Sequence, residues 1–455
     1  MKTLKHALSL ALYAYLFFLS ITMLGSGMKS AFKGPVDAFL KDHGESFTEL
    51  VSFVVGVLGT SLVQSSSTVT AMAVVLAQEE ILPLVIAIGI VHGANLGTSV
   101  TSSLVAFASE IRPLTGRPIR DLRTLLFEPR LPGFHRAVST AVVHGVFNGV
   151  LVTAILLALE IPFGLVHRLA ESSANAVASL ARQGSALLTV LDYVSPKTYT
   201  KPVVSALKDV GFAGADLLGV PEGPGHTTVY AALVVGSFVL LFLSLRGFSR
   251  TVKGWLMEGQ QVGPDDLAGL KAMGQKLLGS SPLDTFFRGL ILTILVQSSS
   301  ATTSMVVPLA ALGLFSIRQV FPFVMGANIG TTTTALIAAS QSFGQEGFAD
   351  GMTIALCHFY LNVLAVILVV TVPGLQRSIL GATQWLADRS EEAPAWLLGY
   401  LLALTVAMPA VVYFLPTAAA AVVLGLVVVV MIIGPHFYLR RVGERDADGP
   451  ADQAA

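Results

Sequence analysis

Cysteine is almost absent from this chain. One residue, Cys357, stands among 455, which excludes an intramolecular disulfide and the usual cysteine metal clusters. Charge is scarce too: Asp, Glu, Lys and Arg make up 12% of the residues, against 53% hydrophobic ones and a mean hydropathy of +0.73. Lys plus Arg equals Asp plus Glu at 28 each, so there is no basic surplus to hold nucleic acid. No Asp, Glu, Lys or Arg falls within 50–78, 82–108, 290–312 or 319–340. Intramembrane carboxylates, the commonest carriers of coupled protons, are missing from those runs, leaving His92, His144 and His358 as the candidates for that role. No duplicated acid–base pair, nucleophile or metal-ligand cluster is present either, which argues against an enzyme.

What is abundant is apolar sequence in stretches that reach the ~20 residues a helix needs to cross a bilayer. They fall near 7–28, 50–78, 82–108, 136–160, 229–246, 285–312, 318–340, 349–373, 396–416 and 418–438. Five precede a linker at 247–284 and five follow it. The chain therefore reads as an all-α, multi-pass protein of the cell membrane, with the lipid bilayer as its surroundings. The first run, behind Lys2 and Lys5, reads as a span rather than a secretory signal: it continues to Leu24 without a small-residue cleavage site. Its Phe18-Leu19-Ser20 returns as Phe242-Leu243-Ser244 at the start of the second half.

The strongest signal is a duplication. Gln64-Ser65-Ser66-Ser67-Thr68 returns as Gln297-Ser298-Ser299-Ser300-Ala301, and Gly93-Ala94-Asn95-Leu96-Gly97-Thr98 as Gly326-Ala327-Asn328-Ile329-Gly330-Thr331. Both second copies lie 233 residues after the first, so the repeats run without a gap between motifs. Hydroxyls and amides in apolar surroundings are expensive, and their duplication predicts one site built from two halves.

Basic residues set the orientation. Lys2 and Lys5, the linker's Arg246, Arg250, Lys253, Lys271 and Lys276, and the tail's Arg440, Arg441 and Arg445 predict that both termini and the linker are cytoplasmic. Five crossings cannot join two cytoplasmic ends. One segment in each half must then enter and leave on the same side, and 50–78 and 285–312 fit: each is long for one span, short for two, and polar at its midpoint. Each repeat is then one re-entrant helical hairpin plus about three transmembrane helices, and three crossings invert the second repeat relative to the first, a common plan among secondary transporters. The predicted layout is a first repeat at 1–160, an outer loop at 161–228 with an amphipathic helix near 169–191, and a second repeat at 229–373. Two extra C-terminal transmembrane helices follow over 374–440, then a short cytoplasmic tail at 441–455. Arg112, Arg117, Arg120, Arg123 and Arg130 agree with an inner loop at 109–135, whereas the loop 374–395 is less clear, with Arg377 and Arg389 against Asp388, Glu391 and Glu392. The last two spans, almost purely Ala, Val and Leu, suit lipid contact or a partner subunit.

Neutral oxygen is the chemistry on offer. Ser65, Ser66, Ser67, Thr68 and Thr70 are the oxygen donors of the first hairpin and Ser298, Ser299, Ser300, Thr302, Thr303 and Ser304 those of the second, and Asn95, Thr98, Ser99 and Thr101 match Asn328, Thr331, Thr332, Thr333 and Thr334. Such oxygens suit an alkali cation, and N–H groups at half-helix N-termini suit an oxyanion. The pairs Gly93/Gly97 and Gly326/Gly330 would let the backbone leave the helix and approach a ligand. With no fixed positive charge, bound cations must neutralise the anion, and such mutual favouring is the basis of symport. A passive oxyanion pore or exporter uses the same donors, and these donors suit phosphate, sulfate and arsenate alike. Ser, Thr and Gly also serve plain helix packing. His144 and Asn148 share a helix face, as do His358 and Asn362, and read as packing or supporting groups; His92 reads as structural.

These motifs resemble the type II sodium/phosphate cotransporters over about 8–160 and 229–373. The resemblance implies sodium-driven phosphate import, with Na+ as the coupling ion and inorganic phosphate as substrate. Carried over by motif, it implies that Gln64, Ser65, Ser66, Ser67, Asn95, Thr98, Gln297, Ser298, Ser299, Ser300, Asn328 and Thr331 form the site, with Thr68 and Ser99 beside the first hairpin. The second hairpin, with Thr302, Thr303, Thr332 and Thr333, looks like a sodium site, built from Gln297, Ser298, Ser299, Asn328 and Thr332. Electrogenic members carry Asp directly after the histidine of the His-x-x-Phe-Asn stretch. This chain has Gly145 there, which implies electroneutral transport.

Overall fold

The structure, a computed structural model, describes residues 2–31, 33–43, 49–111, 132–182, 196–217, 222–256, 278–343, 345–372 and 374–442. Among them every regular element is helical. Helices α1 (Lys2–Ala31) and α2 (Lys33–His43) lead into α3 (Glu49–Val63), α4 (Ser66–Gln78) and α5 (Leu84–Ile111). Next, α6 (Pro132–Ile155) runs into a π turn at Leu156–Glu160, followed by α7 (Leu165–Arg182), α8 (Pro196–Leu217) and α9 (Glu222–Leu256). The second half contains α10 (Pro282–Val296), α11 (Ser299–Ala311), α12 (Ile317–Ser340) and α13 (Phe348–Thr371). It closes with α14 (Leu375–Glu392), α15 (Ala395–Phe414) and α16 (Thr417–Val442).

Eight of these helices, α1, α5, α6, α9, α12, α13, α15 and α16, are long and apolar enough to cross a membrane. The two other apolar runs, 50–78 and 285–312, are each two short helices with a two-residue break. The break has a local cause. Gln64 and Gln297 adopt the left-handed conformation, at φ 58° and 56°. That costs a non-glycine residue about 1–3 kcal/mol, a strain that collects at functional sites. The chain restarts at once, because the Ser65 and Ser298 hydroxyls accept the Thr68 and Ala301 N–H groups, each at 3.2 Å, as helix N-caps do. Every boundary from the start of α3 to the start of α5 recurs 233 residues later, from α10 to α12. The duplicated sequence thus makes duplicated local structure.

Glycine sets how the pieces pack. A β-carbon on Gly93 would collide with the Phe53 carbonyl oxygen, and one on Gly326 with that of Phe286; Gly56 and Gly289 stand likewise against the Ile90 and Phe323 carbonyls. So α3 lies on α5, and α10 on α12, at a backbone distance only glycine permits, as in small-residue membrane packing. This corrects the role read from sequence: α5 and α12 run unbroken through Gly93/Gly97 and Gly326/Gly330, and the glycines admit a neighbouring helix rather than a ligand.

The two halves interlock. Helix α4 packs on α12 and α13 of the second half, while α11 packs on α5 and α6 of the first. The core closes around them with Phe147 and Phe321 edge to face, their centroids 5.8 Å apart. Outside, α1 pairs with α9, and α8 lies on α1. The amphipathic α7 lies on α13, where the Tyr360 hydroxyl donates to Ser173 Oγ at 2.9 Å; 183–191 of its predicted range lies outside the described residues.

Two expectations change. The span at 229–246 is part of α9, which continues past Arg246 and Arg250 to Leu256, so the linker starts later than position 247. The loop expected at 374–395 is mostly helix α14. It buries Ser378, Ile379, Ala382, Thr383, Leu386, Ala387 and Ser390 against α6 and α16. Its buried face mixes hydroxyls with small apolar residues, so hydropathy alone passes it over. The basic residues of 112–130, Lys271, Lys276 and the tail from 443 lie outside the described residues.

The glycine contacts predict a sharp contrast in thermal unfolding of the purified protein. Gly326→Ala should destabilise by about 1–3 kcal/mol through overpacking. Gly59→Ala should be nearly silent, because its β-carbon would meet only Val69, at 3.9 Å.

Candidate functional site

The two breaks meet. Ser67 Oγ, one residue into α4, donates to the Gln297 carbonyl at 2.9 Å, joining motifs 230 positions apart in sequence. Helices α4 and α11 both begin here, so first-turn N–H groups and the positive ends of two helix dipoles face one region. Helices α3 and α10 end here, bringing last-turn carbonyls. Gln64 Nε2 donates to the Ser61 carbonyl and Gln297 Nε2 to that of Ile294, while Gln297 Oε1 accepts from Thr334 Oγ1 at 2.7 Å. The region therefore offers donors fit for an oxyanion beside acceptors fit for a cation.

The following helices supply more acceptors. Thr98 and Thr331 donate their hydroxyl hydrogens to the carbonyls of Ala94 (3.0 Å) and Ala327 (2.9 Å), and Ser99 and Thr332 to those of Leu96 (2.6 Å) and Ile329 (2.7 Å). A hydroxyl whose hydrogen is so committed has only lone pairs left, which suits a cation. Thr302 Oγ1 likewise donates to the Ser298 carbonyl at 2.7 Å. Thr60 and Thr293 Oγ1, equivalent positions of the repeat, and Thr303 Oγ1 are buried without a hydrogen-bond partner.

Most of the residues expected at the site are buried: Ser66, Ser67, Thr68, Asn95, Thr98, Ser99, Ser299, Ser300, Thr302, Thr303, Asn328, Thr331 and Thr332. Gln64, Ser65, Gln297, Ser298 and Thr333 are half-buried at or near the breaks. The two motif asparagines are held by exchange between the halves. Asn328 Oδ1 pairs with His144 Nε2 of the first half at 2.5 Å, and Asn95 Oδ1 with His358 Nε2 of the second at 2.9 Å. Asn328 Nδ2 donates to Asn148 Oδ1 (2.7 Å), and Asn148 Nδ2 to the Asn95 carbonyl (2.9 Å). The histidines read as supporting groups thus tie each repeat's asparagine to the opposite repeat. Asn328 in particular has both ends of its amide engaged by protein, so a cation there would share Oδ1 with His144.

Two features were not anticipated. Thr334 anchors the Gln297 side chain. At the far end of α3, about 20 Å from the break at 1.5 Å per residue, Glu49 Oε1 lies 3.7 Å from His92 Nδ1; a carboxylate at a helix start fell just outside the apolar run and so escaped notice.

Fold and site together define a polytopic membrane protein whose polar centre is assembled from two interlocked copies of one unit. The family model described as Na+/Pi-cotransporter matches residues 16–115 and 268–385 of this chain, segments that hold both Gln-Ser-Ser-Ser breaks and both Gly-Ala-Asn motifs. It is 28% identical to sodium-dependent phosphate transport protein 2A of Ovis aries, over 91% of this chain and 68% of that protein. It is also 28% identical to protein 2A of Mus musculus (93% and 69%), and 26% to sodium-dependent phosphate transport protein 2B of Bos taurus (93% and 67%). No solved structure matches significantly.

The exchange predicts symmetric mutant behaviour. His144→Ala and His358→Ala each strip a partner from a buried asparagine, so each should cost about 1–3 kcal/mol. In a double-mutant cycle, His144→Ala should couple to Asn328→Ala by at least ~0.5 kcal/mol in thermal unfolding and be additive with Asn95→Ala.

Proposed function

We propose that this chain is a secondary transporter that imports inorganic phosphate together with sodium. The observation that carries this reading is the hydrogen bond from Ser67 to Gln297, which puts two helix N-termini and two helix C-termini at one half-buried point without a charged side chain among the motif residues. Phosphate takes the N–H groups and hydroxyl donors of α4 and α11, drawing on Gln64, Ser65, Ser66, Ser67, Thr68 and Asn95 on one side, where the committed hydroxyls of Thr98 and Ser99 face an accompanying cation. Sodium takes the committed hydroxyls and break carbonyls of the second half, around Gln297, Ser298, Ser299, Asn328 and Thr332, with Ser300, Thr302, Thr303, Thr331 and Thr333 nearby. Each ion lowers the cost of bringing the other into apolar surroundings, so their binding is mutually favourable.

The finer reading is topological. The α3–α4 and α10–α11 pairs are re-entrant hairpins of two inverted repeats, entering from opposite faces, with both termini cytoplasmic. The equivalent boundaries at the 233-residue offset and the distribution of basic residues support it. Transport then follows alternating access, each half rocking against the other around the shared centre. Gly145, where a carboxylate would add a charge, supports an electroneutral cycle. The chain acts by binding and movement, without chemical conversion of its substrate.

Radiolabelled phosphate uptake into sealed vesicles tests the reading. An inward sodium gradient should drive accumulation above equilibrium, and Gln297→Ala or Ser298→Ala should raise the sodium requirement by roughly 10-fold or more, the scale of one lost buried contact. Uptake indifferent to sodium, or one that never exceeds equilibrium, would point instead to a passive oxyanion pore.

A further inference from the structure

Tyr400 belongs to α15, outside both copies of the repeat, yet its hydroxyl reaches Ser99 of the first motif helix. The oxygen is buried and lies beside Ser99 without completing a hydrogen bond of normal geometry. It occupies the space left by Gly145: a β-carbon there would collide with the Tyr400 hydroxyl and stand 2.6 Å from Ser99 Cβ and 3.0 Å from Ser99 Oγ. The hydroxyl is therefore lodged where α5 and α6 meet, between Gly145, which follows His144, and Ser99, one turn after Asn95.

Three observations set this group apart from ordinary packing. First, Ser99 commits its hydrogen to the Leu96 carbonyl, so toward Ser99 the Tyr400 O–H can act only as donor, and each oxygen keeps a lone pair for a cation. Second, the duplication is broken at this spot. The residue after the second histidine is Phe359, its ring tilted 59° to that of Tyr360 at a centroid distance of 5.6 Å, so the second half carries a bulky side chain at the position where the first has none. Third, a π turn at Ala403–Ala407 begins three residues after Tyr400. Such single-turn widenings recur at functional sites.

We propose that Tyr400, supplied by the C-terminal helix α15, is a sodium-binding residue of the transport site, its hydroxyl oxygen acting with Ser99 Oγ as a neutral oxygen pair for the cation. The inference rests on the sodium-coupled reading above and extends it to a helix that neither repeat contains. It gives α15 a part in coupling beyond lipid contact. It also makes Gly145 a spatial requirement, because any side chain at that position evicts the hydroxyl.

The test reads sodium binding apart from transport. Full-length protein purified in detergent is titrated with sodium chloride, with potassium chloride as the ionic control and no phosphate, and its thermal unfolding midpoint is followed. Tyr400→Phe removes one oxygen and keeps the ring. It should leave the midpoint in potassium unchanged and raise the half-saturating sodium concentration by about 5- to 10-fold, as expected for one lost polar contact. Ser99→Ala should shift it similarly, and the double variant by little more. A Tyr400→Phe titration that overlays the wild type overturns the inference, as does a lower midpoint in potassium with unchanged sodium response, which marks a packing role. If Gln297→Ala loses the sodium response while Tyr400→Phe keeps it, sodium coupling stands and Tyr400 alone is excluded. A wild-type protein that does not distinguish sodium from potassium overturns both.

Discussion

A left-handed glutamine at the midpoint of a short apolar segment is the constraint from which the rest follows. At Gln64 and Gln297 the backbone abandons the helix, and in apolar surroundings the freed carbonyls and N–H groups need partners. The serine next in sequence satisfies part of that need by capping the new helix. The remainder is met between the halves, most directly where Ser67 donates to the Gln297 carbonyl. The second half's break thus relies on the first for its Gln297 carbonyl. The polar centre draws on both copies, and the fold brings them together.

Packing and polarity divide this work. Glycines at equivalent positions press α3 onto α5 and α10 onto α12 at backbone contact, which fixes where each break lies relative to its own motif helix. The histidine–asparagine pairs then tie each motif helix to the opposite half. Both arrangements are costly to disturb, the first because backbone cannot yield, the second because a buried amide left alone is expensive. They leave the remaining lone pairs and first-turn N–H groups around the breaks to meet ions.

Much of this was legible in the sequence. The ten apolar runs correspond to eight long helices and two broken ones, and the breaks fall at the motifs. The gapless offset of 233 predicted that local structure would repeat, and from the start of α3 to the start of α5 the helix boundaries do so to the residue. Three kinds of information were not legible. Helix α14 buries a face that mixes Ser, Thr and Ala with a few Leu and Ile, a pattern that hydropathy does not separate from a loop. The glycines were given to ligand approach because spacing alone cannot tell a neighbouring backbone from a ligand. Partner choice across the halves, His144 with Asn328 and His358 with Asn95, depends on three-dimensional interlocking, as does the arrival of Tyr400 from a helix that otherwise reads as lipid-facing.

The account turns on one shared pocket, and an experimental structure of the protein in sodium and phosphate examines it most directly. The expected result is density for a tetrahedral anion within hydrogen-bond reach of first-turn N–H groups of both α4 and α11, with sodium density against the Gln297–Ser298 break. Phosphate bound to one half alone, or the two serine clusters separated with no ligand between them, would contradict it.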